Sequence, residues 1–151
     1  MVMDDIFMDD RRKWIEGGTH FRVSGEGPPL ILIHGVGLDL TLWSHFAAAF
    51  EAQFTVIRYD MLGHGLSAKP PGRRRLGDFT DQLHRLHDYL DVGPAVVAGV
   101  SMGGLIARGY VAHRPDMVNR LVLMNTVFER DAAQRAAIQS CVGRLAPKPG
   151  K

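Results

Sequence analysis

The stretch Gly99-Val100-Ser101-Met102-Gly103-Gly104 decides the fold, because it joins a predicted strand to a predicted helix. The apolar residues 95–98 before it predict a buried strand, and residues 102–114 predict a helix that ends just before Pro115. Glycines around the serine let strand and helix approach each other through a sharp turn, which holds the serine in a strained backbone conformation. The pattern predicts a nucleophile elbow.

Ser101 is the candidate nucleophile of this turn. It precedes a helix, where the backbone N–H of Met102 can stabilise the oxyanion that forms when a carbonyl is attacked. Gly35, Val36 and Gly37 follow an earlier strand, and this turn can direct a second N–H, that of Val36, toward the same oxyanion. The stretches together favour acyl transfer by serine. A glycine-rich packing turn with an idle serine is the structural alternative.

Strands and helices alternate outward from the elbow. Residues 30–33 are continuously apolar, as in a parallel strand covered on both faces, and residues 20–24, 54–59 and 121–124 predict further strands. This alternation predicts the α/β class, with a mostly parallel sheet and helices on both of its faces.

Two helices are predicted between these strands from their apolar spacing. The first is expected over residues 42–52, with Asp39 or Thr41 as its cap, and the second is expected before Gly93 and Pro94. The apolar faces consist of Leu42, Phe46, Ala49 and Phe50 in the first helix and of Phe79, Leu83, Leu86 and Leu90 in the second.

Composition excludes several classes of partner. Lys and Arg number 18 against 16 Asp and Glu, and the local excess at 73–75 and 148–151 is too small for a nucleic-acid-binding surface. No apolar run reaches the roughly 18 residues of a membrane helix, and the acidic residues within 1–12 are unlike a secretory signal. The single Cys141 forms no internal disulfide. We therefore expect no nucleic-acid or membrane partner and a cytoplasmic location.

Three motifs in order resemble those of the α/β-hydrolase family. They are His34-Gly35 after one strand, the Asp60 to Ser67 loop of pattern Asp-x-x-Gly-x-Gly-x-Ser after the next, and the Gly99 to Gly103 elbow. The resemblance covers residues 30–126 and implies a sheet of about eight strands, of which this chain holds six. It is similar to enol-lactonases and small carboxylesterases, which implies a small-molecule ester or lactone substrate, no cofactor and no metal.

The resemblance also implies roles for individual residues. Ser101 would be the nucleophile, rather than the Asp of the dehalogenase and epoxide-hydrolase branches, and the N–H groups of Val36 and Met102 would form the oxyanion hole. The residues expected to shape the site around them are His34, Gly35, Gly37, Gly99, Gly103 and Gly104.

The family's other catalytic residues have no clear counterpart here. In this fold an acid and then a histidine follow the serine, and only His113 does so. It lies 12 residues along the same predicted helix, roughly 18 Å away, which is too far to act as base. His34 and His64 are expected to shape loops, and Glu129 and Asp131 have no histidine to orient.

We therefore expect an incomplete fold that lacks its last strands. Residues 1–127 would form the N-terminal part of the hydrolase core, and residues 128–151 would start a lid helix and end in an irregular tail. The chain is predicted to be truncated and nearly inactive alone, and the strand at 121–124 would be an exposed edge that invites self-association.

Two other functions remain to be distinguished. Gly35-x-Gly37 after a strand, with Asp60 ending the next, partly matches a dinucleotide-binding fingerprint, although Leu40 occupies its third glycine position. A non-catalytic binding or interaction protein on a hydrolase scaffold is the second alternative, because no base follows Ser101 within reach.

Overall fold

The computed structural model describes residues 13–15, 17–127, 129 and 131–137. The predictions for residues 1–12, for Cys141 and for the tail at 148–151 lie outside this part. Of the region beyond residue 127, only 129 and 131–137 are described, and residues 132–137 are helical. The division into 1–127 and 128–151 stays a prediction.

Besides the helical residues 132–137, the described fold consists of one sheet and three α-helices. The strands are β1 (Lys13–Ile15), β2 (Thr19–Ser24), β3 (Pro29–Ile33), β4 (Thr55–Tyr59), β5 (Ala95–Val100) and β6 (Val118–Met124). The helices are α1 (Ser44–Phe50), α2 (Leu76–Leu90) and α3 (Met102–His113), with short 3-10 turns at Leu40–Trp43 and Pro115–Met117.

The strands lie in the order β1-β2-β4-β3-β5-β6. Neighbours from β4 to β6 run parallel, and β1 and β2 add antiparallel strands on the β4 side. Ile33 of β3 pairs with Tyr59 on one side and Gly99 on the other, so the carboxyl ends of the three central strands are level. The predicted α/β class with a mostly parallel sheet is confirmed.

Side chains that alternate along β3 separate two apolar layers. Ile31 and Ile33 contribute to the larger cluster, together with α2 and α3, and the whole predicted α2 face is buried there: Phe79, Leu83, Leu86 and Leu90. Leu30 and Leu32 point to the other face, where Trp43 and Ala47 cover them. Because both faces of β3 are covered, every one of its core positions is apolar.

The first helix differs from its prediction. The helical region begins as a 3-10 turn at Leu40, capped by Asp39, whose carboxylate accepts a hydrogen bond from the Thr41 N–H (2.8 Å). The α-helical part starts only at Ser44. Because a 3-10 turn has fewer residues per turn than an α-helix, the inward face shifts to Leu40, Trp43 and Ala47. The predicted face was therefore wrong for Leu42, Phe46 and Ala49, which are exposed, whereas Phe50 is partly buried against this cluster.

Element ends also differ from the predicted ones. β1 was not predicted, β5 extends to Val100, and β6 begins at Val118 rather than at 121. Helix α2 ends at Leu90, before Gly93 and Pro94 as predicted. Asp91, rather than a glycine, takes the left-handed conformation at its end with φ 48°, a region that Asp tolerates better than most residues that have a side chain.

Strand β6 is an edge within the described part of the chain. It pairs with β5, and no described strand lies on its other side. Its side chains are partly or fully exposed, including Val122 and Leu123. The predicted exposed edge is therefore observed. Across the described residues, no helix combines the length and apolar character needed to cross a membrane.

Candidate active site

The site lies at the carboxyl ends of the adjacent strands β3 and β5, which are followed along the chain by strands on opposite sides, β4 and β6. The chain leaves β3 through the 3-10 turn and α1 on one face, and it leaves β5 through α3 on the other. Adjacent strands whose connections diverge in this way leave a crevice at their carboxyl ends, where ligands bind in open α/β sheets. Gly35 and Ser101 follow these two strands.

Ser101 has the backbone conformation predicted for an elbow. Its φ of 53° and ψ of −118° lie outside the ordinary regions for a residue with a side chain. The Ser101 N–H donates to the Met124 carbonyl (3.0 Å), and the Ser101 carbonyl accepts from the Gly104 N–H (3.0 Å). The strained residue is thus held from the end of β6 and from the first turn of α3, and its side chain is exposed.

The glycines around Ser101 are required by close backbone contacts. A methyl group on Gly103 would lie 2.6 Å from the His34 carbonyl oxygen and closer still to that of Ile33. A methyl group on Gly99 would collide with the Gly103 carbonyl, and one on Gly104 would collide with the Thr126 side chain. The start of α3 therefore lies directly against the ends of β3 and β5.

The turn after β3 reaches the same point. The Leu38 N–H donates to the Gly35 carbonyl (3.3 Å), and Gly37 has a φ of 76°, which favours glycine. A methyl group built on Gly35 would lie 3.4 Å from the Ser101 Cβ, so the two predicted stretches are neighbours. Val36 is 64% exposed at the tip of this turn.

The His34 ring is hydrogen-bonded to the turn after β3 and to the loop after β4. It is fully buried, with Nδ1 donating to the Gly35 carbonyl (2.8 Å) and Nε2 accepting from the Met61 N–H (3.0 Å). Both nitrogens are therefore occupied in the neutral ring. Burial lowers the pKa of His34 below its ordinary value, which keeps the ring neutral.

The bond to Gly35 has a geometric consequence for the proposed oxyanion donor. A peptide bond is planar and trans, so the Val36 N–H points opposite to the Gly35 carbonyl. His34 and Leu38 both hold that carbonyl. The direction of the Val36 N–H is consequently set by the loop before any ligand arrives.

Asp60 holds together the loop from Asp60 to Ser67, a role that the sequence patterns did not indicate. Its carboxylate accepts from the N–H groups of Leu40 and Leu66 and from His20 Nδ1, each at 2.8 Å. Its backbone carbonyl accepts from the Ser67 hydroxyl (2.6 Å). Asp60 is thus a buried hydrogen-bonded brace that ties this loop to the turn at 35–41 through the Leu40 N–H.

These contacts make the dinucleotide-binding hypothesis untenable. A ribose-binding carboxylate must be accessible to the ribose hydroxyls, whereas Asp60 is buried and accepts three hydrogen bonds from the protein. The helix after Gly35-x-Gly37 is only seven residues long and is preceded by a 3-10 turn.

No histidine in the described part of the chain is hydrogen-bonded to the Ser101 side chain. His64 Nδ1 donates to the Leu62 carbonyl (3.1 Å), and His113 Nδ1 donates to the Gly109 carbonyl of its own helix (2.7 Å). His20 is bonded to Asp60. Glu129 and Asp131 are exposed, and the acid and base partners of Ser101 are not identified by these contacts.

Thr126 is a residue of this site that sequence patterns did not indicate. Its hydroxyl lies 3.2 Å from the Ser101 carbonyl and 3.1 Å from the Met124 carbonyl. The available signal was its position just after a predicted parallel strand, at the edge of the sheet where Ser101 also lies.

Comparison with known proteins places these features in a family. The profile of a family described as "alpha/beta hydrolase fold" matches residues 28–145. An (E)-2-((N-methylformamido)methylene)succinate hydrolase of Acinetobacter baylyi is 40% identical over 120 residues, covering 80% of this chain and 46% of that protein. A 3-oxoadipate enol-lactonase of the same species is 34% identical, covering 71% and 40%.

Solved structures give the same result. A thermophilic esterase from Thermogutta terrifontis superposes with a TM-score of 0.77 at 30% identity, over 84% of this chain and 47% of that one. The chain thus spans about half the length, or less, of the proteins that it matches.

Proposed function

The chain belongs to the α/β hydrolase fold family, and from that premise we propose that Ser101 is the nucleophile of a serine hydrolase site for a carboxylic ester or lactone. The observation that carries the proposal is the conformation of Ser101, with a positive φ and an exposed side chain at the start of α3. A non-glycine residue with this backbone conformation is costly to hold, and such strain is concentrated at functional sites.

The proposed reaction begins with attack of the Ser101 Oγ on the carbonyl carbon of the substrate. As the carbon becomes tetrahedral, its oxygen becomes negative, and the N–H groups of Met102 and Val36 would donate to it. The leaving alkoxide takes a proton, and water then hydrolyses the acyl-serine. Oxyanion donors that are already oriented need little reorganisation during the reaction.

The proton of Ser101 needs an acceptor, and we propose that this base and its acid lie outside the described residues. His34 is excluded because Nδ1 and Nε2 are both engaged, and His113 is bonded to its own helix. Loss of the histidine of a triad lowers kcat by about 10⁶, so the chain alone should turn over esters very slowly.

The substrate class rests on the similarity to the relatives. Their names specify a substituted succinate hydrolase, an enol-lactonase and a pimeloyl-[acyl-carrier protein] methyl ester esterase. A small-molecule ester or lactone is therefore the proposed substrate, and the chain's similar identity to several relatives favours no single one of them.

Covalent labelling tests the nucleophile directly. The chain is incubated with a fluorophosphonate, and the modified peptide is identified by mass spectrometry, with Ser101→Ala and Ser44→Ala as variants. Ser44 is an exposed serine at the start of α1, so it reports non-specific reaction. Because the base is proposed to lie outside the described residues, we expect slow labelling of Ser101, assisted by the oxyanion donors alone, in the wild type and in Ser44→Ala only. Undiminished labelling of Ser101→Ala would refute the assignment.

A non-catalytic scaffold is the second candidate, favoured by the absence of a histidine bonded to Ser101 among the described residues. It predicts no covalent adduct at Ser101 and no serine-dependent hydrolysis of p-nitrophenyl esters. Slow hydrolysis that Ser101→Ala abolishes and Ser44→Ala retains would exclude it.

We also propose that the exposed edge of β6 mediates self-association. Val122 and Leu123 are exposed there on an edge that no described strand pairs with, a combination that promotes strand pairing between chains. Val122→Lys should raise the monomer fraction in sedimentation velocity. Leu42→Lys is the matched control, because Leu42 is similarly exposed (44% against 41%) but lies before α1. Equal association of the two variants would contradict the proposal.

A further inference from the structure

Thr126 links the end of β6 to the elbow across 25 positions of sequence. Its hydroxyl has one proton and faces two carbonyl oxygens, of Ser101 at 3.2 Å and of Met124 at 3.1 Å. The Met124 carbonyl also accepts the Ser101 N–H (3.0 Å). Both backbone polar groups of Ser101 thus contact the segment 124–126, and the carbonyl also accepts from the Gly104 N–H (3.0 Å) within α3, so that Thr126 is its second donor.

The carbonyl of Ser101 belongs to the same peptide plane as the N–H of Met102. Because that plane is rigid and trans, a donor that fixes the direction of the carbonyl fixes the N–H in the opposite direction. We propose that Thr126 is a positioning residue, whose hydroxyl aims the Met102 N–H at the oxyanion. This inference rests on the proposed function, in which Met102 supplies one of the two oxyanion donors.

The Thr126 side chain packs against the first turn of α3, in space that the absence of a side chain at Gly104 leaves open. A methyl group on Gly104 would collide with the Thr126 Oγ1 and lie 2.8 Å from its Cβ, so Thr126 occupies the space that a side chain at 104 would fill. The first turn of α3 is therefore open on the side of β6, and the threonine enters it.

The chain reaches that place through a turn at Asn125. Its φ of 46° lies in the left-handed region, which asparagine tolerates better than most residues. The turn directly after β6 brings residue 126 back to the Met124 carbonyl, as the 3.1 Å contact shows. Ser101 and Asn125, on the two sides of the contact, both have a positive φ. Such conformations persist only where the surrounding structure holds them, which indicates that the contact between 124–126 and the elbow is held in place by its surroundings.

The same geometry occurs at the other proposed donor. There His34 donates to the Gly35 carbonyl, whose peptide plane carries the Val36 N–H. In each of the two peptide planes that carry a proposed oxyanion donor, the carbonyl thus accepts a hydrogen bond from a side chain. The donor is His34, just before the turn, in one plane and Thr126, distant in the sequence, in the other. The distant one can be removed without altering the turn after β3.

The test compares Thr126→Val, which keeps the shape but has no hydroxyl, with Thr126→Ser, which keeps the hydroxyl. The N–H residual dipolar coupling of Met102 is measured in the unliganded chain, together with those of β3 residues, which report on the sheet. We expect the Met102 coupling to change in Thr126→Val and to match wild type in Thr126→Ser, with β3 unchanged. If Thr126→Val fails to fold, the smaller Thr126→Ala replaces it.

The rate of fluorophosphonate labelling at Ser101 is the second readout. It should fall roughly two- to tenfold in Thr126→Val, the range for loss of one ordinary hydrogen bond, and recover in Thr126→Ser. An unchanged Met102 coupling in Thr126→Val would overturn the positioning role. Absence of labelling in the wild type would instead refute the proposed function, while the coupling would still decide whether Thr126 orients this N–H.

Discussion

The substitution Gly103→Ala tests whether α3 lies against the end of β3 as closely as described. The added methyl group would lie 2.6 Å from the His34 carbonyl oxygen, and closer to that of Ile33. Neither contact is with a flexible side-chain end, so either the helix or the strand must move. Insertion of a methyl group into a well-packed region of this kind costs about 1–3 kcal/mol.

Gly77→Ala provides the matched control. Both glycines are the second residue of their helix, α3 and α2 respectively, but a methyl group on Gly77 would meet nothing within 4 Å. The helix-propensity gain of alanine over glycine, up to about 1 kcal/mol, should therefore be similar at the two positions. The difference between the variants isolates the steric cost, about 2 kcal/mol at the middle of the overpacking range.

Urea denaturation measures this difference. With a slope of about 2 kcal/mol per molar urea, the midpoint of Gly103→Ala should lie about 1 M below that of Gly77→Ala. Gly103→Ala should also label more slowly at Ser101, because the elbow moves with the helix start. Coincident midpoints with unchanged labelling would show that the close approach of α3 to β3 does not exist.

Three further predictions concern stability. Because the pKa of His34 is lowered in the folded state, the unfolded state binds the proton more readily, and the contribution of His34 to stability is complete above pH 6.5 and is lost as the pH falls toward the folded pKa. The free energy of unfolding, measured at a series of pH values, should fall by at most about 1.4 kcal/mol per pH unit for this group. A His34→Asn variant should reduce this dependence of the unfolding free energy on pH. Asp60→Asn should destabilise by about 1–3 kcal/mol in urea, because one of three donors then faces an amide NH₂, and a change within experimental error would contradict the brace. Leu83→Ala, at a fully buried position, should cost about 2–5 kcal/mol, whereas Leu42→Ala, at an exposed one, should change thermal stability little; similar losses would mean that the inward faces are misassigned.

Much of the fold could be predicted because its signals are local. The apolar run at 30–33 became the central strand, and the spacing from Phe79 to Leu90 became the buried face of α2. The elbow needs only neighbouring glycines and a serine, so its conformation was also predictable. A prediction that depends only on neighbouring residues does not change with the tertiary contacts of the rest of the chain.

The prediction of the first helix failed because the local conformation there depends on contacts with residues that are distant in the sequence. The start of the first helix is tied to Asp60, which accepts the Leu40 N–H, and this contact accompanies a 3-10 turn that alters which residues point inward. The roles of the site residues, the cytoplasmic location and the incompleteness of the fold stay predictions.

By itself the sequence determined the kinds of elements, the α/β class and the serine at a strand-to-helix turn, because periodicity and turn chemistry act over a few residues. Only the tertiary structure decided that β3 lies between β4 and β5, which places Gly35 beside Ser101 and the Thr126 hydroxyl on the Ser101 carbonyl. Apolar strands are interchangeable in composition, so their order depends on which helices cover which face and on how the strand ends fit together. The site is made of these strand ends, and it therefore exists only once the sheet is assembled.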